Sequence, residues 1–407
     1  MSADNYDIVI IGAGIAGLSA ANAIASESDL SFALVEGKSI GSNNPSPLTF
    51  GGIIQQHDLT DCIKGRYSHF AFHNHKGSFI KYTFTDHPLV VLDYEKACRK
   101  LFNAIQKRTT AVEIIDTYAT NISQNDKGVG IQLKGGRQLH ASILIDCSGK
   151  SQFAITQLEE NHFSYYSHVY GAIFSGIKGK EADLCCFLWP HNDFGLGGGW
   201  FYSIAGGKAS FGYASINKFP NIDYTQLKNK FNLARKEFEP YSDYLRDAKL
   251  DYVETGSIPI SYINKFIYKN MIIVGDAAGM ATNWTCMGIE PALEYGKLAG
   301  ELSVEALLQS DFAVLNQFQD SWEKANKATF DLFAKQAERF WVADYHFWEW
   351  IIKYDLAFLS PQEVLDRMRK NEHVPKKYQI IIRALSHKLR SIVNNNIVKP
   401  RSFIINN

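Results

Sequence analysis

Three acids in this 407-residue chain sit where an apolar run ends and a glycine turn begins. Glu36 closes Phe32–Val35, Asp146 closes Ile143–Ile145, and Asp276 follows Ile272–Val274 across Gly275. A carboxylate at the end of a buried strand can accept hydrogen bonds from ribose or ribityl hydroxyls. The turns beside these acids supply what a dinucleotide needs. Gly12-Ala13-Gly14-Ile15-Ala16-Gly17 follows the apolar run Tyr6–Ile11 and opens a helix-like stretch from Ser19 to Ala25. Strand, glycine turn, helix, strand and acid form the dinucleotide-binding βαβ signature. Gly12 permits the tight turn, Gly14 lets backbone approach a pyrophosphate, and Gly17 lets helix pack on strand. The helix start at Ile15 and Ala16 offers free N–H groups and a partial positive charge to phosphates. Glu36, with Gly37 after it, is placed to accept from a ribose 2′-hydroxyl, which favours FAD or NAD over NADP.

Other candidates lie away from these turns. Lys81 sits among Phe79, Ile80 and Tyr82. Such a lysine could be desolvated, with its pKa lowered and its amine made reactive; in an alternating strand it could equally face solvent. Glu290 falls in the first turn of a predicted helix, either as a functional acid or as a carboxylate on the positive dipole end. Trp200, Tyr202 and Ile204 alternate, so they share one face of a strand and make a flat apolar wall. His69, His73, His75 and His87 show no metal-ligand spacing, and no metal is expected. No serine stands in GxSxG, which removes support for acyl transfer.

The elements that must position these residues can be read from periodicity. Residues 37–56 are rich in Gly, Ser, Asn and Pro and read as a loop over the cofactor. Residues 67–92 alternate like strands, and Asp93–Ile105 has helical spacing with Ala97, Leu101 and Ile105 on one face. Short strands run from Thr120 to Gly149. Glycine-separated strands then fill 165–255, with a polar helix near 223–247. Asn270–Val274 returns as a buried strand, and Gly288–Leu308 as a long helix. The remainder, 311–407, is mainly helical. Phe333, Phe340, Trp341, Tyr345, Phe347, Trp348 and Trp350 crowd one stretch that must be buried or cover a pocket. Ile381, Leu385, Leu389 and Ile392 share a helix face for a membrane, a partner or the chain's own core.

The set Gly12–Gly17, Glu36, Asp146-Cys147-Ser148-Gly149 and Gly275–Gly279 resembles the FAD-dependent family of aromatic hydroxylases, geranylgeranyl reductases and flavin-dependent halogenases. The resemblance spans residues 6 to about 300. It implies an α/β fold: a Rossmann-type FAD-binding domain from 1–66, 93–165 and 256–310, and an inserted, mainly antiparallel β substrate domain from 67–92 and 166–255. A helical C-terminal region, 311–407, completes the chain. The resemblance also implies Asp276 on the ribityl or ribose hydroxyls, and Gly288 at a helix start facing the pyrimidine edge of the flavin, where a positive end favours reduced flavin. Asn283 stands where the family has proline, and Thr285 and Glu290 where hydroxylases have glycine and asparagine. Trp200 and Tyr202 fit the reductases' Tyr-x-Trp-x-Phe-Pro stretch, while Gly198 and Ser203 do not. Against the halogenases' Trp-x-Trp-x-Ile-Pro, Trp200 and Ile204 fit. Lys81 matches the context of the lysine that halogenases use.

The resemblance implies an FAD-dependent oxidoreductase. The favoured activity is a monooxygenase that hydroxylates a bulky aromatic or apolar substrate through a flavin C4a-hydroperoxide, a partner protein's tryptophan being one candidate. Saturation of isoprenoid double bonds and Lys81-dependent halogenation are the alternatives. No second GxGxxG opens a helix, so electrons are expected from transiently bound NAD(P)H, reduced flavin or a redox partner. A formal net charge of zero gives no nucleic-acid signal. Six cysteines without a CxxC pair read as free thiols in a reducing compartment, and the absence of a basic, apolar leader points to a cytoplasmic protein. No run of 18 apolar residues predicts a membrane span.

Overall fold

Ile8, Val9 and Ile10 expose no surface, because the strand Asp4–Ile11 that carries them is flanked by strands on both edges. The computed structural model describes residues 4–42, 45–74, 79–108, 112–125, 128–158, 163–177, 183–189, 197–219, 221–283, 285–332, 352, 356–370, 382 and 385. Parallel to the central strand lie Gln138–Asp146 on one side and Phe32–Val35 on the other. Met271–Ile273 extends the sheet beyond the first, and Val112–Ile115 beyond the second. Strands buried on both faces read as continuous apolar runs, which is how they stand in the sequence. Register sets where these strands end. Ile11 pairs with both Val35 and Asp146, and Asp146 pairs with Ile273. The carboxyl ends are therefore level, and the turns that leave them share one edge, where open α/β sheets bind ligands.

Helix Ile15–Glu27 covers this sheet and crosses helix Ile289–Gln309 closely. A Cβ added at Gly296 or Gly300 would lie 2.4 Å from the Ala16 carbonyl oxygen or 2.5 Å from that of Ala20. Helix Tyr94–Arg108 buries Ala97, Cys98, Leu101 and Ile105 beside them, the face its spacing predicts. Each large aliphatic chain so buried is worth about 1.5–3 kcal/mol.

Among the described residues a second sheet has seven strands. In spatial order they are Lys249–Pro259, Tyr166–Ser175, Lys208–Asn217, Gly197–Ile204, Leu184–Trp189, His69–Asn74 and Phe79–Thr83. Every pairing is antiparallel except that of Leu184–Trp189 with His69–Asn74. Period-two alternation divides its faces. Phe174, Phe201, Phe211 and Tyr213 pack under helices Tyr224–Glu237 and Tyr241–Leu245, while Phe70, Phe72 and Tyr202 share a different core. The expected α/β architecture with an inserted, mainly antiparallel sheet is thus present. The polar helix expected near 223–247 is two helices, parted at Pro240.

Residues 37–56 differ from the expected loop. Leu48–Phe50 is a strand and Gly51–Gln56 a helix. Leu48–Phe50 pairs with Leu89–Leu92, which also pairs with Ile63–Tyr67 in a three-stranded sheet. Leu48 and Phe50 are buried there, and long-range pairing overrides the local turn composition. At the C-terminal end, helix Pro361–Lys370 and Leu356–Phe358 bring Leu356, Leu359, Val364 and Met368 against Phe70, Phe72 and Tyr82. The aromatic run Phe333–Trp350 lies outside the described residues, as do Ile381, Leu389 and Ile392. Among the described residues no helix is long and apolar enough to cross a membrane.

Candidate cofactor and substrate site

One cavity of about 490 Å³ joins the level strand ends of the first sheet to the wall of the second. At its nucleotide end the glycine turn is fixed by contact. Gly12 adopts φ +97°, and a Cβ there would fall 2.3 Å from the Cys147 carbonyl oxygen. Gly17 does not line the cavity; a Cβ on it would meet the Gly12 carbonyl oxygen at 1.9 Å, so it sets how closely helix approaches strand. Gly14, Ile15 and Ala16 do line the cavity. The first turn of their helix carries neither a side-chain cap nor an acid, which leaves its positive end to a ligand.

Glu36 is oriented by backbone. The Ala13 N–H donates to Oε2 and the Lys38 N–H to Oε1, each at 2.9 Å, with the carboxylate on the cavity wall. Its remaining lone pairs can accept ribose hydroxyls. Gly37 is not on that wall. It makes room for the Tyr118 ring, which a Cβ would overlap at 2.3 Å, and Tyr118 does line the cavity.

Asp146 is corrected from cofactor contact to a support beneath the site. It exposes no surface, and its carboxylate accepts from the N–H of Ser148 at 2.9 Å and of Ala154 at 2.8 Å. It shapes the turn that presents Cys147, Ser148 and Gly149 to the cavity. Asp276 is different: it lines the cavity, and among the described residues its carboxylate has no hydrogen-bond donor. Burial pushes that carboxyl up to about 6. An unpartnered carboxylate between Gly275 and Gly288, which both line the same wall, fits the hydroxyls of a bound FAD.

Gly288 caps helix Ile289–Gln309. Glu290, in its first turn, does not line the cavity and is held by the Arg369 guanidinium, which also lies over the Phe50 ring. The catalytic expectation for Glu290 is corrected accordingly: it ties helix Pro361–Lys370 to the helix whose start lines the cavity. Lys81 is corrected too. It is exposed on the outermost strand of the second sheet, facing away from buried Tyr82, and does not line the cavity.

The wall of the second sheet holds Trp200 and Tyr202, with rings 6.3 Å apart and 28° from parallel. The indole lies over Gly171 and Gly212, whose added Cβ atoms would come within 2.6 and 2.1 Å of it. Its Nε1–H donates to Ser210 Oγ at 2.9 Å. Phe72 and Phe187 continue the wall. Ile204 does not: its strand reaches the hairpin at Lys208 there and has left the cavity.

Several lining residues carried no sequence signal strong enough to be singled out. Tyr94 places its hydroxyl against Gly14 and accepts from the Ile15 N–H at 3.4 Å, and burial raises its pKa. Glu254 accepts from Ser46 Oγ at 2.6 Å and Ser210 Oγ at 3.4 Å, and burial pushes its carboxyl above the usual range. Cys286, held at φ +55°, is pushed by burial up to about 11, which keeps it a thiol. Among the described residues no group of His, Cys, Asp or Glu is arranged for a metal.

Known proteins are similar to this chain. The lycopene cyclase protein family matches over residues 7–175. Digeranylgeranylglycerophospholipid reductase 1 of Methanopyrus kandleri is 30% identical over 277 residues, which are 65% of this chain and 69% of the relative. Among solved structures, a geranylgeranyl bacteriochlorophyll reductase-like protein of Thermoplasma acidophilum superposes with TM-score 0.69 at 17% identity, over 97% of this chain and 99% of its own. A flavin-dependent brominase does so with TM-score 0.71 at 16% identity, over 95% and 100%. At such identities the two structures speak for the fold. The chain belongs to the digeranylgeranylglycerophospholipid reductase family of FAD-dependent oxidoreductases.

Proposed function

We propose that this protein is an FAD-dependent reductase that saturates carbon–carbon double bonds in a long, apolar, isoprenoid-type substrate. The observation that carries the reading is continuity: the cradle for the cofactor opens directly onto the aromatic wall of Phe72, Phe187, Trp200 and Tyr202. The relative's name supplies the substrate class. FAD, when bound and reduced, supplies the hydride. The chain's own residues do the rest. Glu36 would hold the ribose, the first turn of Ile15–Glu27 the pyrophosphate, and Asp276 the ribityl hydroxyls. Trp200 and Tyr202 would order the chain of the substrate and keep water from it.

The test is anaerobic. Protein carrying reduced flavin is mixed with digeranylgeranylglycerophospholipid in detergent. Reoxidation of the flavin and product enriched by two hydrogens per double bond are expected. Unchanged lipid with flavin still reduced would sink the reading. Hydroxylation of a bulky aromatic substrate is the second reading, favoured by the stacked pair Trp200–Tyr202, which suits a flat ring. It predicts oxygen uptake coupled to a hydroxylated product. Halogenation has no such support, since Lys81 stands outside the cavity.

A further inference from the structure

We infer that Glu254 is the general acid of this site, delivering to the substrate the proton that double-bond saturation requires in addition to a hydride. The assignment rests on the reductase reading above and adds a residue to it. Saturating a C=C bond needs a hydride at one carbon and a proton at the other. Reduced FAD, when bound, would supply the two electrons with the hydride, and an acid on the cavity wall would supply the proton. As the π bond breaks, the Glu254 O–H bond breaks and its proton joins the second carbon. The carboxylate left behind is reprotonated from solvent.

Geometry selects Glu254. It stands on the edge strand Lys249–Pro259 opposite Gly171, and Gly171 is the residue over which the Trp200 indole lies. The carboxyl thus lines the cavity beside the aromatic wall, next to the indole that fills the space over Gly171. Its orientation is fixed from two further elements. Ser46, itself 6% exposed, donates from the loop before Leu48, and Ser210 donates from the strand that also anchors the Trp200 Nε1–H. An acid, two hydroxyls and an indole form one connected network beside the aromatic wall.

The alternatives on that wall are poorer acids. Tyr202 and Cys286 also line it, and burial raises both, Cys286 to about 11. Asp276 belongs to the cofactor end. Burial holds Glu254 above the ordinary carboxylate range, which keeps a proton on it at a higher pH than a surface glutamate would keep one. The charged and titratable groups facing it are Lys64, from strand Ile63–Tyr67, and Tyr252 on its own strand. Lys64 lowers the Glu254 pKa, though less than burial raises it. Lys64 is itself held below its usual range by burial.

The experiment compares wild type, Glu254→Gln and Glu254→Asp. Infrared difference spectra across pH read the acid without any turnover: a protonated carboxyl C=O stretch should titrate above the ordinary carboxylate range and vanish in E254Q. Anaerobic single turnovers with digeranylgeranylglycerophospholipid then read its role. Wild-type flavin reoxidation should slow as pH rises through that titration. E254Q should lose about 100-fold or more and the pH limb with it, while keeping bound flavin. E254D, retaining an acid, should recover the limb at a reduced rate. A wild type that saturates the lipid, with an E254Q of equal rate and unchanged pH limb, overturns the assignment alone. A wild type that leaves the lipid untouched removes the reductase reading and the assignment together.

Discussion

Arg369 grips Glu290 through two nitrogens, Nη2 at 2.7 Å from Oε1 and Nε at 3.1 Å from Oε2. The first turn of helix Ile289–Gln309 is thereby joined to helix Pro361–Lys370. A bidentate guanidinium–carboxylate pair is directional, and the guanidinium also stacks 4.6 Å from the Phe50 ring centroid. Arg369→Ala should therefore lower stability by about 1 kcal/mol, read as a shifted urea midpoint. Glu290→Gln should keep flavin and turnover near wild type. Turnover abolished in E290Q with flavin retained would return Glu290 to the chemistry.

Gly14 and Gly12 differ in what a side chain would strike. At Gly14 a Cβ meets only the Tyr94 hydroxyl, at 3.0 Å, and otherwise enters the cavity. Gly14→Val should fold and purify colourless, because the added methyls occupy the pyrophosphate's place. At Gly12 the obstacle is backbone, in a conformation disfavoured for other residues. Gly12→Ala should cost several kcal/mol of stability and lose flavin as a consequence. Yellow Gly14→Val protein would refute the first expectation; a Gly12→Ala thermal midpoint equal to wild type would refute the second.

Asp276 should make the flavin-free protein less stable as pH rises. Its folded pKa of about 6 lies above the ordinary aspartate value, so the folded state holds the proton more tightly than the unfolded state. Stability is then greatest below the unfolded pKa and declines through the window from about pH 4 to 6, by up to about 3 kcal/mol. Asp276→Asn should flatten that decline in flavin-free protein and also weaken FAD retention on dialysis. Parallel urea-midpoint profiles for the two proteins across this window would show that Asp276 is not the group responsible.

What could be read from the sequence and what could not divide along a physical line. The turn at Gly12, Gly14 and Gly17 and its closeness to Glu36 were legible because those contacts lie within one βαβ unit. Gly275, Asp276 and Gly288, at a strand end and a helix start, line the same cavity. Facing was harder. Asp146 ends an apolar strand much as Glu36 does, yet its carboxylate turns to the backbone of Ser148 and Ala154. Lys81 and Tyr82 are adjacent, and only the pairing of their strand with His69–Asn74 decides which one is buried. Glu254 was invisible because its strand reads as polar, and its hydrogen-bond donor Ser46 lies more than two hundred residues away. Tyr94 shows the same dependence on a distant partner, Ile15.

Trp200 and Gly212 form a matched pair that can be tested from both sides. The indole occupies the space above Gly212, so Gly212→Ala would push it off the sheet without deleting it. If the wall orders substrate, Trp200→Ala should raise KM for the lipid about tenfold or more while leaving flavin content unchanged. Gly212→Ala should reproduce that change in direction, since the ring is displaced and its bond to Ser210 is lost. Both variants leave Gly12–Ala16, Glu36 and Asp276 untouched. Flavin lost from Trp200→Ala with KM unaltered would assign the indole to the cofactor's seat instead. A Gly212→Ala protein with wild-type KM would show that the position of the ring on this face does not govern substrate binding.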